Sequence, residues 1–436
     1  MEISLEELAR HRTADDCWLA LQGQVYDVTA FLDRHPGGGG ILLKFAGQDA
    51  SRVFAAKHPD GFLAMLGPEA LKGRLAGSAA VSAPSPASDQ KPPLESLMNL
   101  RDFETVAERT MDRAGWIYYS SAAEDERTLA ENEAAFRRWW FRPRVLTDVS
   151  QVAADSTVLG HRTAFPVFLS ASAMAGLAHP DAEVALARAT HRAGVVQMVP
   201  TISTKTHEEI AAARAPGQTQ FFQLYVNRDR AGIESLVRRV EDLGYRALFL
   251  TVDTPLIGRR ERDFRNAFAE GRGVIRSLGT ISDPSLTWEY VDWLKSITRL
   301  PLVLKGVQRG EDAVIAAGHG VAGLLLSNHG GRQLDGARSA LDVLVEVRNM
   351  LPASCKMELY VDGGIRRGSD VVKALALGAQ AVGLARPVLY GLAGYGERGA
   401  EAVLRLLRDE IRLCMALCGA PTVADLTADL VVRNLP

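Results

Sequence analysis

Eight short apolar segments in the long C-terminal region limit the fold of this chain more than any other feature. They begin at Phe165, Val195, Phe221, Ala247, Pro301, Gly323, Glu358 and Ala381. Each has the length and the nearly continuous apolar character of a strand buried on both faces of a parallel sheet. Helical patterns lie between them, for example over residues 183–193, 233–243, 312–317 and 370–377. Strands that alternate with helices in this way predict an α/β fold, a (β/α)8 TIM barrel.

A doubly wound open sheet is the alternative arrangement for such a pattern. That fold commonly binds a dinucleotide at a G-x-G-x-x-G turn after its first strand. No such motif follows the segment that begins at Phe165. The sequence therefore favours the barrel and gives no support to a dinucleotide site.

Polar side chains stand at the ends of four of these apolar segments. Asp253, Lys305, His329 and Asp362 each follow or close a different segment. The carboxyl ends of barrel strands converge on one mouth, where active sites form. Four polar residues from four strands predict a catalytic site at that mouth.

A stretch rich in Ser, Ala and Pro divides the chain. Residues 78–93 read SAAVSAPSPASDQKPP, a composition that cannot build a core and predicts a flexible linker. It separates an N-terminal module, residues 1–77, from the barrel region, residues 94–436.

Composition and charge exclude several classes of partner. The formal net charge is -2, so no basic field favours nucleic acid. No apolar run approaches the roughly 20 residues that cross a bilayer. The first ten residues resemble neither a signal peptide nor an Arg-rich transit peptide. We expect a cytoplasmic protein or, if a presequence has been removed, one of the mitochondrial intermembrane space.

Two histidines of the N-terminal module suggest a metal site. His35 opens an HPGG turn, and His58 follows a helical pattern. Two neutral imidazoles on opposing loops can bind the two axial positions of a haem iron. Apolar residues between them could line a porphyrin slot: Leu42, Phe45, Val53 and Phe54. Two surface histidines beside turns are the alternative.

The residues at the barrel mouth suit a 2-hydroxy acid. His329 lies three residues before Arg332 in SNHGGRQLD, and VDTPLIGRRERD supplies Asp253 and Arg260. Arginine binds a carboxylate through a fork of N–H groups, histidine accepts a proton, and aspartate orients the imidazole. Lys305 could place a cation beside a cofactor ring, or form a Schiff base as in aldolases.

Two segments at the end of the barrel suit a phosphate group. DGGIRRG begins at Asp362 after the seventh apolar segment, and ARP, with Arg386, closes the eighth. Backbone N–H groups at this position of a barrel commonly bind phosphate.

The N-terminal module resembles cytochrome b5. The similarity rests on the Asp-Cys-Trp run at residues 16–18, the Tyr-Asp-Val-Thr run at residues 26–29 and the HPGG turn. It implies a six-coordinate haem b with His35 and His58 as iron ligands. Such a haem transfers electrons and does not bind oxygen.

The barrel region resembles the FMN-dependent 2-hydroxy acid dehydrogenases and oxidases. The motifs are YYSSAAEDERTLAENEAAF at residues 118–136, FRPRVL, SASAM, QLYV, VDTP and SNHGGRQ. The resemblance runs from about residue 100 to about residue 429.

The resemblance assigns roles to six catalytic residues. It makes His329 the catalytic base and Asp253 its partner. Arg332, Arg260 and Tyr118 would bind the substrate carboxylate. The substrate hydroxyl would be bound by Tyr225.

The resemblance also implies an FMN site. Lys305 would lie at the N1/O2 edge of the flavin. The remaining cofactor residues implied are Ala171, Ser172, Ala173, Gln223, Thr251, Ser327, Asp362, Gly364, Arg366 and Arg386. Two positions depart from the family: Pro200 replaces a flavin-binding serine, and Ala385 replaces the glycine of a GRP motif. We expect these changes to weaken or shift FMN binding.

The two modules together imply an electron path. The expected reaction oxidises L-lactate, or a similar short L-2-hydroxy acid, by FMN and passes electrons through haem b to cytochrome c. The family suggests a homo-oligomer, a tetramer. Three alternatives remain: an oxidase that uses oxygen, a Lys305 Schiff-base aldolase, and a non-enzymatic electron carrier.

Overall fold

The computed structural model describes residues 2–35, 38–55, 63, 66, 68–76, 91–270 and 282–434. The chain forms two compact units, Met1–Lys91 and Pro92–Pro436. No helix among the described residues combines the length and the apolarity that crossing a membrane requires.

The N-terminal unit is built on a five-stranded sheet. Its strands are β1 (Glu2–Ile3), β2 (Arg12–Thr13), β3 (Asp16–Leu21), β4 (Gln24–Asp27) and β5 (Leu71–Leu75), in the order β1-β5-β4-β3-β2. Gln22 and Gly23 join β3 to β4 with φ values of 55° and 78°, the backbone that a tight hairpin requires. The N-terminal unit also contains three short helices: α1 (Leu5–Leu8), α2 (Gly39–Leu43) and α3 (Ser51–Ala55). A 3-10 helix, Thr29–Arg34, ends at His35.

The larger unit contains a closed parallel barrel, as the sequence predicted. Its strands are β9 (Val167–Leu169), β10 (Val196–Pro200), β11 (Gln220–Leu224), β12 (Leu248–Thr251), β13 (Leu302–Val307), β14 (Gly323–Leu326), β15 (Glu358–Asp362) and β16 (Ala381–Leu384). Each strand pairs with the next, and β16 pairs with β9. All eight apolar segments of the sequence therefore became barrel strands.

Helices surround the barrel. They are α7 (Ala182–Ala193), α8 (His207–Ala212), α9 (Arg230–Asp242), α10 (Glu261–Glu270), α11 (Trp288–Ile297), α12 (Gly310–Gly318), α13 (Ala340–Met350), α14 (Gly368–Ala376) and α15 (Arg386–Leu417). Aromatic side chains fill the inside of the barrel, among them Phe168, Phe221, Phe249 and Tyr360. The barrel is thus a packed core whose chemistry is confined to its ends.

Segments outside the repeat close both ends. The helices before the barrel are α4 (Leu100–Thr110), α5 (Arg113–Ser120) and α6 (Arg127–Arg137), and a hairpin of β7 (Ser156–Val158) and β8 (His161–Thr163) follows. In that hairpin the backbone N–H of Leu159 donates to Glu358 at the start of β15, so it covers the bottom. Strand β6 (Trp139–Phe141) pairs with the C-terminal β17 (Val431–Arg433). The mouth is bordered by α5 and α6.

Candidate active site

A cavity of about 1230 Å³, its opening to solvent included, lies at the carboxyl ends of the barrel strands. Most of the predicted barrel-site residues line it: Tyr118, Ala171, Ser172, Ala173, Gln223, Tyr225, Thr251, Arg260, Lys305, His329, Arg332, Asp362, Gly364, Arg366 and Arg386. Asp253 and Ser327 do not line this cavity, but both contact His329. The sequence therefore identified residues that the fold brings together from separate strands.

His329 and Asp253 form a buried pair. His329 Nδ1 lies 2.9 Å from Asp253 Oδ1, and the Asp253 side chain is 1% exposed against 18% for His329. The other ring nitrogen, Nε2, lies 3.3 Å from the hydroxyl of Tyr225 at the cavity wall. A proton on Nδ1 is held by the carboxylate, so Nε2 is the atom presented to a substrate.

The surroundings of this pair set its protonation at neutral pH. Burial, with the charges of Lys305 and Arg260, lowers the pKa of His329 below its ordinary value against the opposing effect of Asp253. Burial alone would raise the pKa of Asp253, but His329, Lys305 and hydrogen bonds outweigh it and lower the pKa to about 2. A neutral imidazole backed by an ionised carboxylate is the state a general base requires.

The HGG sequence is needed for the backbone at this point. His329 has a φ of 60°, and Gly330 and Gly331 have φ values of 64° and 79°, a region that glycine tolerates best. A Cβ on Gly331 would lie 2.7 Å from the backbone nitrogen of Leu129 in α6. The turn thus aims His329 at the cavity while α6 packs directly against it.

Two arginines converge on the same part of the cavity. The Arg332 guanidinium donates to the carbonyl of Tyr118 at 2.6 Å and lies 4.9 Å from the centre of the Tyr118 ring. Arg260 is 5% exposed, and burial, followed by the charge of Arg332, lowers its pKa to about 10. Neither guanidinium forms an ion pair with any described residue of this unit, so the pair suits an anionic ligand such as a carboxylate.

One wall of the cavity carries polar groups that suit a flavin ring. Gln223 Nε2 donates to Thr251 Oγ1 at 2.9 Å, which fixes the amide. Lys305 Nζ lies 3.4 Å from Ser327 Oγ and is 5% exposed. The segment 171–173 lies on the same cavity. A buried cation and an oriented amide fit a ring that gains negative charge on reduction.

Residues of β15, of the turn that follows it and of the start of α15 suit the ribityl and phosphate groups of FMN. Asp362 Oδ2 accepts from Ser170 Oγ at 3.2 Å, whereas Oδ1 is buried with no partner among the described residues. A Cβ at Gly364 would lie 2.1 Å from the Asn132 carbonyl oxygen. Only glycine therefore fits at this position of the turn after β15. Burial lowers the pKa of Arg386 to about 10, which leaves it cationic at the start of α15, where N–H groups point outward. The residues fit FMN.

The two departures from the family occupy different places. Ala385 lines the cavity immediately before α15. Pro200 is the last residue of β10, opposite Gln223 of β11. Weaker or shifted FMN binding stays a prediction.

Among the residues of the cavity wall that sequence reasoning missed, three lie outside the barrel repeat. Tyr119, Leu129 and Glu133 come from α5 and α6, outside the barrel repeat. Glu133 lies 3.2 Å from the Arg366 guanidinium. Strand-end position could not reveal them, although Tyr119 directly follows a residue that was assigned a role.

One ring nitrogen of His35, a predicted haem ligand, is held by the backbone of the N-terminal unit. Its Nδ1 lies 3.2 Å from the carbonyl oxygen of Gly38, and a histidine held through one nitrogen ligates metal through the other. Nearby apolar side chains are only partly buried, namely Phe31, Leu42, Leu43, Phe45, Phe54, Leu63 and Leu66, while Val53 is 40% exposed. They could cover a porphyrin. The second predicted ligand, His58, lies outside the described residues.

Comparisons with known proteins identify the family of each unit. The profile of FMN-dependent dehydrogenases matches residues 107–280 and 270–433. The profile of the cytochrome b5-like haem/steroid binding domain matches residues 4–76. The L-lactate dehydrogenase (cytochrome) of Wickerhamomyces anomalus is 43% identical and covers 99% of this chain and 80% of its own length.

Further relatives match a smaller share of this chain. Glycolate oxidase 1 of Oryza sativa subsp. indica is 42% identical over 78% of this chain and 99% of its own. A double mutant of flavocytochrome b2, solved with pyruvate bound, is 45% identical with a TM-score of 0.75. It covers 78% of this chain and 88% of that one.

Proposed function

The chain belongs to the family of FMN-dependent dehydrogenases and carries a cytochrome b5-like domain that precedes the barrel in the sequence. From this premise we propose that it oxidises L-lactate, or a similar short L-2-hydroxy acid, to the 2-keto acid and reduces cytochrome c. The observation that supports this proposal most strongly is that His329 and two arginines, Arg260 and Arg332, line the same cavity. Neither arginine forms an ion pair with any described residue.

The chain's own residues bind and orient the substrate. Arg332 and Arg260 bind the carboxylate, with the Tyr118 ring stacked on the Arg332 guanidinium. The Tyr225 hydroxyl and His329 Nε2 lie 3.3 Å apart, so both reach the substrate hydroxyl. His329 accepts a proton of the substrate, and Asp253 stabilises the imidazolium that results.

Both cofactors have residues to hold them. FMN supplies two-electron oxidation and haem b supplies one-electron transfer when they are bound. Gln223, Thr251 and Lys305 would hold the ring, and Asp362 and Arg386 the ribityl phosphate. His35 and His58 would hold the haem iron.

The main alternative is an oxidase that uses oxygen, because glycolate oxidase 1 shares the barrel. Measuring the yields of reduced cytochrome c and of hydrogen peroxide distinguishes the dehydrogenase from the oxidase. Loss of two electrons from each 2-hydroxy acid should yield two reduced cytochrome c molecules for each keto acid, with little hydrogen peroxide even in air. Stoichiometric peroxide and slow cytochrome c reduction would establish the oxidase instead.

The protonation of His329 gives a pH dependence. Because its pKa is lowered, the imidazole should stay neutral through neutral pH, so kcat/KM should be flat there and fall as the pH drops below that pKa. Asp253→Asn removes the charge that raises the pKa of His329. The acid limb should then move to lower pH, and the plateau should fall by about 10²–10⁴-fold.

A surface His–Asp pair gives a matched control for this experiment. Asp292 Oδ1 lies 2.7 Å from His319 Nδ1 and does not line the cavity. Asp292→Asn should leave the pH profile unchanged. An Asp253→Asn profile that overlays the wild-type curve would remove Asp253 from the mechanism.

We also propose that substrate size is limited by Ile202. Its side chain lines the cavity with Ala173, and a β-branched residue there should crowd a phenyl ring. Lactate should therefore be preferred to mandelate, and Ile202→Ala should raise kcat/KM for mandelate about tenfold or more, the effect of a few methyl groups. Faster wild-type turnover of mandelate than of lactate would contradict this.

A homo-oligomer belongs to the same proposal, with a tetramer as the family suggestion. Three large apolar side chains of the barrel unit are exposed: Trp140, Leu146 and Leu417. A subunit interface would bury such side chains. Light scattering of the purified protein tests this.

A further inference from the structure

A buried glutamate that the proposed chemistry does not use lies beside the cavity. Glu183, in the first turn of α7, is 1% exposed. Its carboxylate accepts three backbone N–H groups: Ala175 at 2.9 Å, Thr204 at 3.0 Å and Lys205 at 3.1 Å. It forms no ion pair with any residue that the structure describes. The charge is thus held by amides, which makes these hydrogen bonds strong.

The three amides belong to two different loops. Ala175 lies in the loop after β9, and Thr204 and Lys205 lie in the loop after β10. Further bonds join the same loops: the Met174 N–H donates to the Ile202 carbonyl at 3.0 Å, and the Gly176 N–H to Thr204 Oγ1 at 2.9 Å. Glu183 therefore ties the two loops together from behind the cavity.

These loops carry the side chains that face the substrate. Ala173 and Ile202, one from each loop, line the cavity. Met174 has a left-handed φ of 56°, which is uncommon for a residue other than glycine. The Tyr119 hydroxyl donates to the carbonyls of Ala173 at 3.0 Å and Met174 at 2.7 Å. The turn is thus held from the cavity side by Tyr119 and from the opposite side by Glu183.

We infer that Glu183 is a positioning residue that sets the width of the substrate side-chain pocket, with Tyr119 as its counterpart. Neither residue contacts His329 or Asp253 by a hydrogen bond in the described structure. Glu183 and Tyr119 instead fix the distance between Ala173 and Ile202. That distance determines how strongly the site prefers short aliphatic 2-hydroxy acids. This inference rests on the proposed function, because it concerns the selectivity of the same site.

The test is the ratio of kcat/KM for L-lactate to kcat/KM for L-mandelate. Glu183→Gln replaces one acceptor oxygen with an amide that faces a backbone donor, so the loops should separate. The ratio should fall about tenfold or more, while the pH profile for lactate keeps its acid limb at the same pH. Partial unfolding would lower both rates together and leave the ratio unchanged.

Glu397→Gln is the matched control. Glu397 forms ion pairs with Arg188 and Arg192 on the outer surface of α7 and α15 and does not line the cavity. The ratio should stay at the wild-type value in this variant. A fall in the ratio equal to that of Glu183→Gln would overturn the inference.

Tyr119→Phe keeps the inference testable if Glu183→Gln does not fold. It removes only the hydroxyl that holds the Ala173–Met174 turn, and the ratio should fall in the same direction. Unchanged ratios in active Tyr119→Phe and Glu183→Gln proteins would reject the inference about Glu183 and leave the proposed function intact. A wild-type protein that oxidises no 2-hydroxy acid would instead reject the proposed function, before any variant is compared.

Discussion

His329→Gln should slow reduction of the protein by L-lactate by about 10²–10⁴-fold, the usual contribution of a general base. Glutamine cannot accept a proton at the position of Nε2, so no imidazolium forms for Asp253 to stabilise. FMN should remain bound, because His329 belongs to the substrate side of the cavity. Anaerobic stopped-flow measurement of flavin reduction gives the rate.

His191→Gln is the control for that substitution. His191 lies exposed on α7, away from the cavity, so its loss should leave flavin reduction unchanged. A His329→Gln protein reduced at nearly the wild-type rate would show that another group is the base.

His35→Ala should abolish haem binding and with it most of the cytochrome c reduction. A flavin collects two electrons in one event, whereas a haem holds one, so a one-electron acceptor protein needs the haem as a relay. Lactate-driven reduction of an artificial dye should continue at close to the wild-type rate, because the barrel residues are untouched. The Soret absorbance and the two acceptor assays measure these effects.

A control variant and a truncated chain test whether the effect of His35→Ala comes from the loss of haem. His11→Ala, in the same N-terminal unit, removes a histidine that stacks on Trp18 and should retain haem and cytochrome c reduction. A truncated chain that begins at Pro93 should behave like His35→Ala. Cytochrome c reduction at the full rate by either haem-free protein would show that the haem is not the relay and would favour the oxidase.

The barrel and its mouth could be predicted because their signals are local. A strand buried on both faces is a continuous apolar run, and polar residues late in the run or just after it lie near the mouth of the barrel. Asp253 and His329, which follow β12 and β14, and Lys305, which lies in β13, were therefore found from their positions alone. The arginines followed from the motifs in which they stand.

Other parts of the site could not be predicted, because they depend on contacts between distant segments. Tyr119 reaches Ala173, more than fifty positions further along the chain, through a helix outside the repeat. Glu183 reads as one more polar residue of an amphipathic helix, and only the fold shows three loop amides around it. Nothing in the pattern of a single sequence distinguishes such a residue from an exposed one.

If one chain couples a flavin barrel to a haem, an anaerobic spectrum of the purified protein should show it. The purified full-length protein should show both a flavin and a ferric haem before substrate is added. L-Lactate should bleach the flavin and convert the haem to its ferrous form without any added mediator. A flavin that bleaches while the haem stays ferric, or a spectrum that L-lactate does not change, would contradict the account.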